Sequence, residues 1–187
     1  MRPSVRLLVL ILAFVLACAP ATTAVAPTTA SPSTDPAVTA AAASPSSTPT
    51  VDGMRIRIPR LGIDLPLQEG DVARDVPNGG SQGATPEGAA FHFPGTAVPG
   101  TGGNSFIYAH ARLGMFLTLW QAMVGDEVQI VTKGGTSLIY KVSEIHSSVP
   151  STDVSWVQPT PDERLTLQTS TGPTPAYPRF IVVATRG

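Results

Sequence analysis

At 187 residues the chain has room for one globular domain and a tail, which excludes an architecture of two large catalytic lobes. Its 12 Lys and Arg stand against 13 Asp and Glu, a net charge of -1 without a clustered basic patch, so nucleic acid is not an indicated partner. Seventeen glycines and 19 prolines favour turns and short strands over long helices, and the single cysteine, Cys18, excludes an intramolecular disulfide or a cysteine-based zinc cluster.

Arg2 and Arg6 precede an uninterrupted apolar run over residues 7–17, the charge-then-hydrophobe order of an export signal. A spanning helix takes about 20 apolar residues, and Pro20 closes this run earlier. Leu16-Ala17-Cys18-Ala19 places a small residue directly before a cysteine, as at a bacterial lipoprotein cleavage site, so Cys18 is the expected lipidation position. Cleavage at the Ala17-Cys18-Ala19 triplet and an uncleaved anchor stay open as alternatives. All three put the rest of the chain outside the cytoplasm: on the outer face of the membrane, at the cell surface or secreted.

After this leader (1–18), residues 19–50 contain 29 Ala, Thr, Pro and Ser among 32, with Asp35 the only charge. Such a segment cannot bury enough apolar surface to offset its ordering entropy and reads as a disordered linker. It would hold a domain away from a membrane or through a wall layer.

Residues 51–187 form the expected domain, and their apolar pattern has period two more often than 3.6. Strands are expected at 54–58 and 63–67, separated by Pro59, then at 91–93 and 105–109 between Pro-Gly and Gly-Gly-Asn turns. The segments 127–132 and 136–145 flank Lys133-Gly134-Gly135, a loop suited to a hairpin. The last pair is 164–169 and 179–185. Phe116, Leu119, Trp120, Met123 and Val124 recur at helical spacing before Gly125, which predicts one helix packing its stripe on the core. The fold class is therefore mostly β: a single barrel of about eight strands with one or two short helices.

The three histidines lack metal-ligand spacing, and Asp71, Asp75 and Glu87 are scattered, so neither a metal nor a cofactor is expected. His92 and His146 read as strand residues with ordinary structural roles. His110 differs, because it closes a strand and faces the loop Ala111-Arg112-Leu113-Gly114, a position where catalytic groups occur. If the last two strands pair antiparallel, Ser170 and Arg179 share one hairpin end, where a hydroxyl, a guanidinium and an imidazole could converge. Asp153 and Asp126 are the conceivable carboxylates for orienting His110, and the spacing selects neither.

Several runs carry a family resemblance in the right order. They are Ile56-x-Ile58-Pro59-x-Leu61-Gly62-Ile63, the Pro-Gly segment leading to Tyr108-Ala109-His110, Gly125-Asp126-x-Val128, Tyr140-x-Val142, Leu165-Thr166-Leu167-Gln168-Thr169, and Arg179-x-Ile181-Val182-Val183-Ala184. Together, over residues 54–185, they resemble the sortases, cysteine transpeptidases of the bacterial cell surface, and look closest to the actinobacterial, class E/F-like branches. The resemblance implies a sortase-like β-barrel and a catalytic set of His110, Arg179 and the residue at 170. It also implies a sorting signal or other cell-surface peptide as partner. The family attacks a peptide carbonyl with a cysteine thiolate, forms a thioester and passes the acyl group to an amine. This chain has Ser170 at that position and no other cysteine in the domain. A serine hydroxyl must lose its proton during attack, which asks His110 to act as a neutral base and predicts weak or lost activity. The alternative is a pseudoenzyme that binds an extended peptide. The oligomeric state is not legible.

Overall fold

The computed structural model describes residues 48–76 and 83–187. The leader, Cys18 and all but the last three linker residues lie outside this set, and no helix within it is long and apolar enough to cross a membrane. Eight strands are present: β1 (Arg55–Ile58), β2 (Ile63–Glu69), β3 (Ala90–His92), β4 (Asn104–Tyr108), β5 (Glu127–Val131), β6 (Ser137–Val149), β7 (Arg164–Ser170) and β8 (Arg179–Arg186). They close into a barrel in the order β1-β2-β3-β4-β7-β8-β6-β5. The β2–β3 and β4–β7 pairs are parallel and the others antiparallel. Closure leaves no long unpaired edge.

Alternation places Ile56 and Ile58, Val128 and Ile130, and Leu165 and Leu167 in one interior cluster with Tyr140, Phe180 and Val182. Each fully buried aliphatic side chain of this kind contributes about 1.5–3 kcal/mol of hydrophobic stabilisation. β8 is buried on both faces, because Ile181 and Val183 pack outward with Val149 against Trp156. That explains its continuous apolar run. The expected hairpin loop is also present: Thr132 N–H bonds the Thr136 carbonyl, and Gly135 takes the left-handed conformation at φ 83°.

Three differences from the sequence reading have local causes. The β6 strand runs on to Val149, with register shifts between Val142 and Glu144 and between His146 and Val149, so His146 lies inside the strand and not at its end. These irregularities let one long strand bend around the barrel. The predicted amphipathic helix is a 3-10 helix, Phe116–Gln121. With three residues per turn it aligns Phe116 and Leu119 on the core and turns the rest of the stripe out. Trp120, Met123 and Val124 are 43%, 55% and 68% exposed. The remaining helical structure is short: one α-helical turn, α1 (Val72–Asp75), and 3-10 turns at Pro59–Leu61 and Ser155–Val157.

Candidate active site

One end of the β4–β7–β8 ladder gathers the chemistry. Parallel pairing sets Tyr108 opposite Gln168, and beyond it Ala109 N–H bonds the Gln168 carbonyl at 3.2 Å while Thr169 Oγ1 donates to the Ala109 carbonyl at 2.9 Å. This carries His110 past the strand end beside Ser170. The antiparallel register of β7 and β8 then sets Ser170 directly opposite Arg179. His110, Ser170 and Arg179, which the sequence singled out, line one cavity of about 220 Å³.

Ser170 Oγ donates to the Gly172 carbonyl at 2.7 Å and accepts from Arg179 Nη1 at 3.2 Å. Arg179 also donates to the Tyr177 carbonyl from Nη1 and to the Pro175 carbonyl from Nη2, both at 3.2 Å. Among the described residues no carboxylate pairs with it, and burial pulls its pKa below the ordinary guanidinium value. Three of its five N–H donors are thus spent on neutral oxygens. The β7–β8 loop that supplies those oxygens depends on Gly172: a Cβ there would lie 2.1 Å from the Tyr177 ring. The carbonyl of His110 accepts from Arg112 and Phe116 N–H, and its Nε2 lies 2.8 Å from the Thr85 carbonyl.

The candidate carboxylates for His110 are both engaged elsewhere. Asp126 binds Arg60 through both oxygens and accepts from Met123 N–H, and the Arg60 bond holds its pKa down against burial. Asp153 accepts from Ser155 N–H at 2.9 Å and Trp156 Nε1 at 3.2 Å, bonds that lower its pKa. Instead, the cavity contains Asp75, which the sequence offered only as a scattered acid. Burial raises the Asp75 pKa, but Arg74, the Asp71 N–H and the Tyr108 hydroxyl outweigh it and hold the pKa at about 2. Burial and this carboxylate together push the Tyr108 phenol upward.

Asp75, Tyr108, Gln168, Pro175 and Arg179 also border a second, more apolar hollow of about 590 Å³, walled by Phe93, Phe106, Val154 and Trp156. The two hollows form one cleft. Phe93 packs edge-on to both Phe106 and Tyr108, at 5.9 and 6.3 Å between centroids, which makes that wall rigid. No single motif announced this groove, because its walls come from six separate segments.

The other two histidines do not line either hollow. His92 is 2% exposed, with Nδ1 3.0 Å from Glu69 and Nε2 3.0 Å from both the Ala97 carbonyl and Thr96 Oγ1. His146 contacts Glu144 and packs at a tilt against Trp156, 4.5 Å between ring centroids. Among the described residues no group of three or more His, Cys, Asp or Glu side chains is arranged to hold a metal ion.

Comparison with known proteins agrees with this architecture. No curated protein matches the chain at significance. Among solved structures, a lid mutant of sortase A from Corynebacterium diphtheriae is similar at 28% identity and TM-score 0.58, over 72% of this chain and 69% of that one. Sortase C-1 from Actinomyces oris is similar at 26% identity and TM-score 0.57, over 72% of each chain. A Clostridium perfringens sortase D transpeptidase gives 26% identity and TM-score 0.56, over 72% and 78%. The sortase-domain family profile matches residues 56–187, nearly the whole described barrel, and the chain therefore belongs to the sortase family.

Proposed function

We propose that this protein is an exported, surface-tethered sortase-family protein with a peptide transpeptidase or hydrolase-type site, in which Ser170 stands where the family's nucleophilic cysteine would be and activity is weak or lost. The observation that carries the reading is the meeting of His110, Ser170 and Arg179 in one cavity, continuous with an apolar groove able to hold an extended cell-surface peptide. The tether would be lipid on Cys18 or an uncleaved anchor, with residues 19–50 as spacer and 51–187 as the working domain.

In this chemistry Ser170 Oγ attacks the scissile carbonyl and its proton passes to the His110 ring. Arg179 donates to the developing oxyanion, and His110 returns the proton to the leaving amine. The resulting ester is resolved by an acceptor amine in transpeptidation or by water in hydrolysis. General-base help of this kind is worth about 10² to 10⁴ in rate, and Ser170 starts without it, since its hydroxyl hydrogen is directed to Gly172. That bond favours the second reading, a non-catalytic protein that holds a surface peptide in the groove.

Intact-mass spectrometry of the protein incubated with a pool of sorting-signal peptides separates the two. An acyl adduct that disappears in Ser170→Ala supports the enzyme. Peptide retention with no adduct supports the binding protein, and neither adduct nor retention rejects both.

A further inference from the structure

His110 faces an oxygen that can only accept. Its Nε2 lies 2.8 Å from the Thr85 carbonyl, so Nε2 carries the hydrogen, and in the neutral ring the lone pair is on Nδ1. A loop carbonyl orients an imidazole only if the loop is itself held, as metal-bound and catalytic histidines are held by the groups behind them.

Here the holding group is a carboxylate. The Asp75 side chain is 1% exposed and accepts from Arg74 Nε at 2.5 Å and Nη2 at 2.8 Å, from Asp71 N–H at 3.0 Å and from Tyr108 Oη at 2.5 Å. The Tyr108 bond ties α1 to β4, the strand that leads directly into His110. Arg74 makes the next link: its carbonyl accepts from Ala84 N–H at 2.7 Å, which fixes the residue adjoining Thr85. Its guanidinium lies 5.4 Å over the Phe91 ring and anchors the turn from below. The sequence makes room for this arrangement at Gly70, where a Cβ would lie 2.3 Å from Tyr108 Oη. Any larger residue would push the tyrosine from the carboxylate.

We propose that Asp75 is a positioning residue for His110: through Tyr108 and Arg74 it holds the Thr85 carbonyl in place, and so keeps His110 as the Nε2–H tautomer with Nδ1 as the proton-accepting nitrogen. The proposal rests on the acyl-transfer reading of the cleft, and within that reading a backbone carbonyl replaces the carboxylate of a Ser-His-Asp set. Asp75 never touches the imidazole. Its effect is relayed by the backbone it fixes.

The test reads the tautomer directly, on the full chain labelled with ¹⁵N, through two-bond ¹H–¹⁵N correlations of the imidazole rings with His110→Ala for assignment. The wild type is expected to give the Nε2–H pattern at His110. Asp75→Asn and Tyr108→Phe are expected to lose it to an averaged mixture of tautomers, while the His92 and His146 patterns stay. An Nδ1–H or averaged pattern in the wild type overturns the proposal, as does an unchanged His110 pattern in both variants. If Asp75→Asn loses the dispersed spectrum of a folded barrel, Tyr108→Phe decides alone, since it removes one donor without leaving a charge unpaired. The tautomer is read without peptide, so this result stands apart from the adduct and retention measurements that decide the acyl-transfer reading.

Discussion

The two ends of the parallel β4–β7 pair solve opposite problems. At the Asn104 end every polar group of the amide is spent: Nδ2 donates to the Trp156 and Gln158 carbonyls at 2.8 and 3.0 Å, and Oδ1 accepts from Thr166 Oγ1 and Arg164 Nε. At the other end Arg179 meets only neutral oxygens, and the residues around it enclose a cavity. The first end fastens the Ser155–Val157 turn over the barrel and gains stability from saturation. The second keeps donors in reserve, which is what a site for another molecule requires.

If that contrast is right, changes at the open end alter chemistry and changes at the closed end alter stability. The largest effect is expected from Ser170→Cys, which supplies an ionisable nucleophile and raises the rate of acyl-enzyme formation about 10³-fold, roughly 4 kcal/mol in barrier, with the melting temperature unchanged. Equal rates by single-turnover mass spectrometry would show a cleft that has drifted beyond its nucleophile. Asn104→Ala at the closed end is expected to cost about 3 kcal/mol in urea unfolding, because it strands several buried partners at once. A loss below about 1 kcal/mol would mean water replaces the amide.

Asp75 sits between the two regimes and adds a pH signature. Its folded-state pKa of about 2 lies below the ordinary 3.8, so its contribution is complete above that value and is lost as pH falls through about 2. The shift corresponds to about 2 kcal/mol. Stability differences between wild type and Asp75→Asn, measured from about pH 5 down to about pH 2, should shrink by that amount; a constant difference would remove the ionised carboxylate from the account. The smallest effect concerns Ser105, whose buried Oγ has no partner among the described residues. Ser105→Ala is expected to stabilise the barrel by about 1 kcal/mol without touching peptide retention, and destabilisation would point to a bound water there.

Much of this was legible from local pattern. All eight strands lie close to where the apolar pattern and turn residues put them, β6 alone running well past its expected end, because barrel strands bury at least one face and the turns use the backbone freedom of Gly or the fixed φ of Pro. The pairing of Ser170 with Arg179 followed from the same reasoning, since a hairpin fixes what lies opposite what. The helix at Phe116 was misread because 3-10 and α spacing share the i, i+3 step and part only at i+4, where Trp120 turns to solvent. Asp75 was passed over because one acid without a spaced partner carries no pattern of its own.

The sequence alone determined where the strands lie along the chain, the candidate set of His110, Ser170 and Arg179, and the presence of serine at position 170 in a domain without cysteine. Those are properties of neighbours along the chain and of residue identity. Tertiary structure decided which carboxylate lies in the cleft, that a carbonyl and not a carboxylate meets His110, and that Ser170 gives its hydrogen to Gly172. The first two are contacts between segments far apart in the chain that meet only when the barrel closes, and the third depends on how the β7–β8 loop folds back over Ser170; no periodicity along the chain encodes any of them.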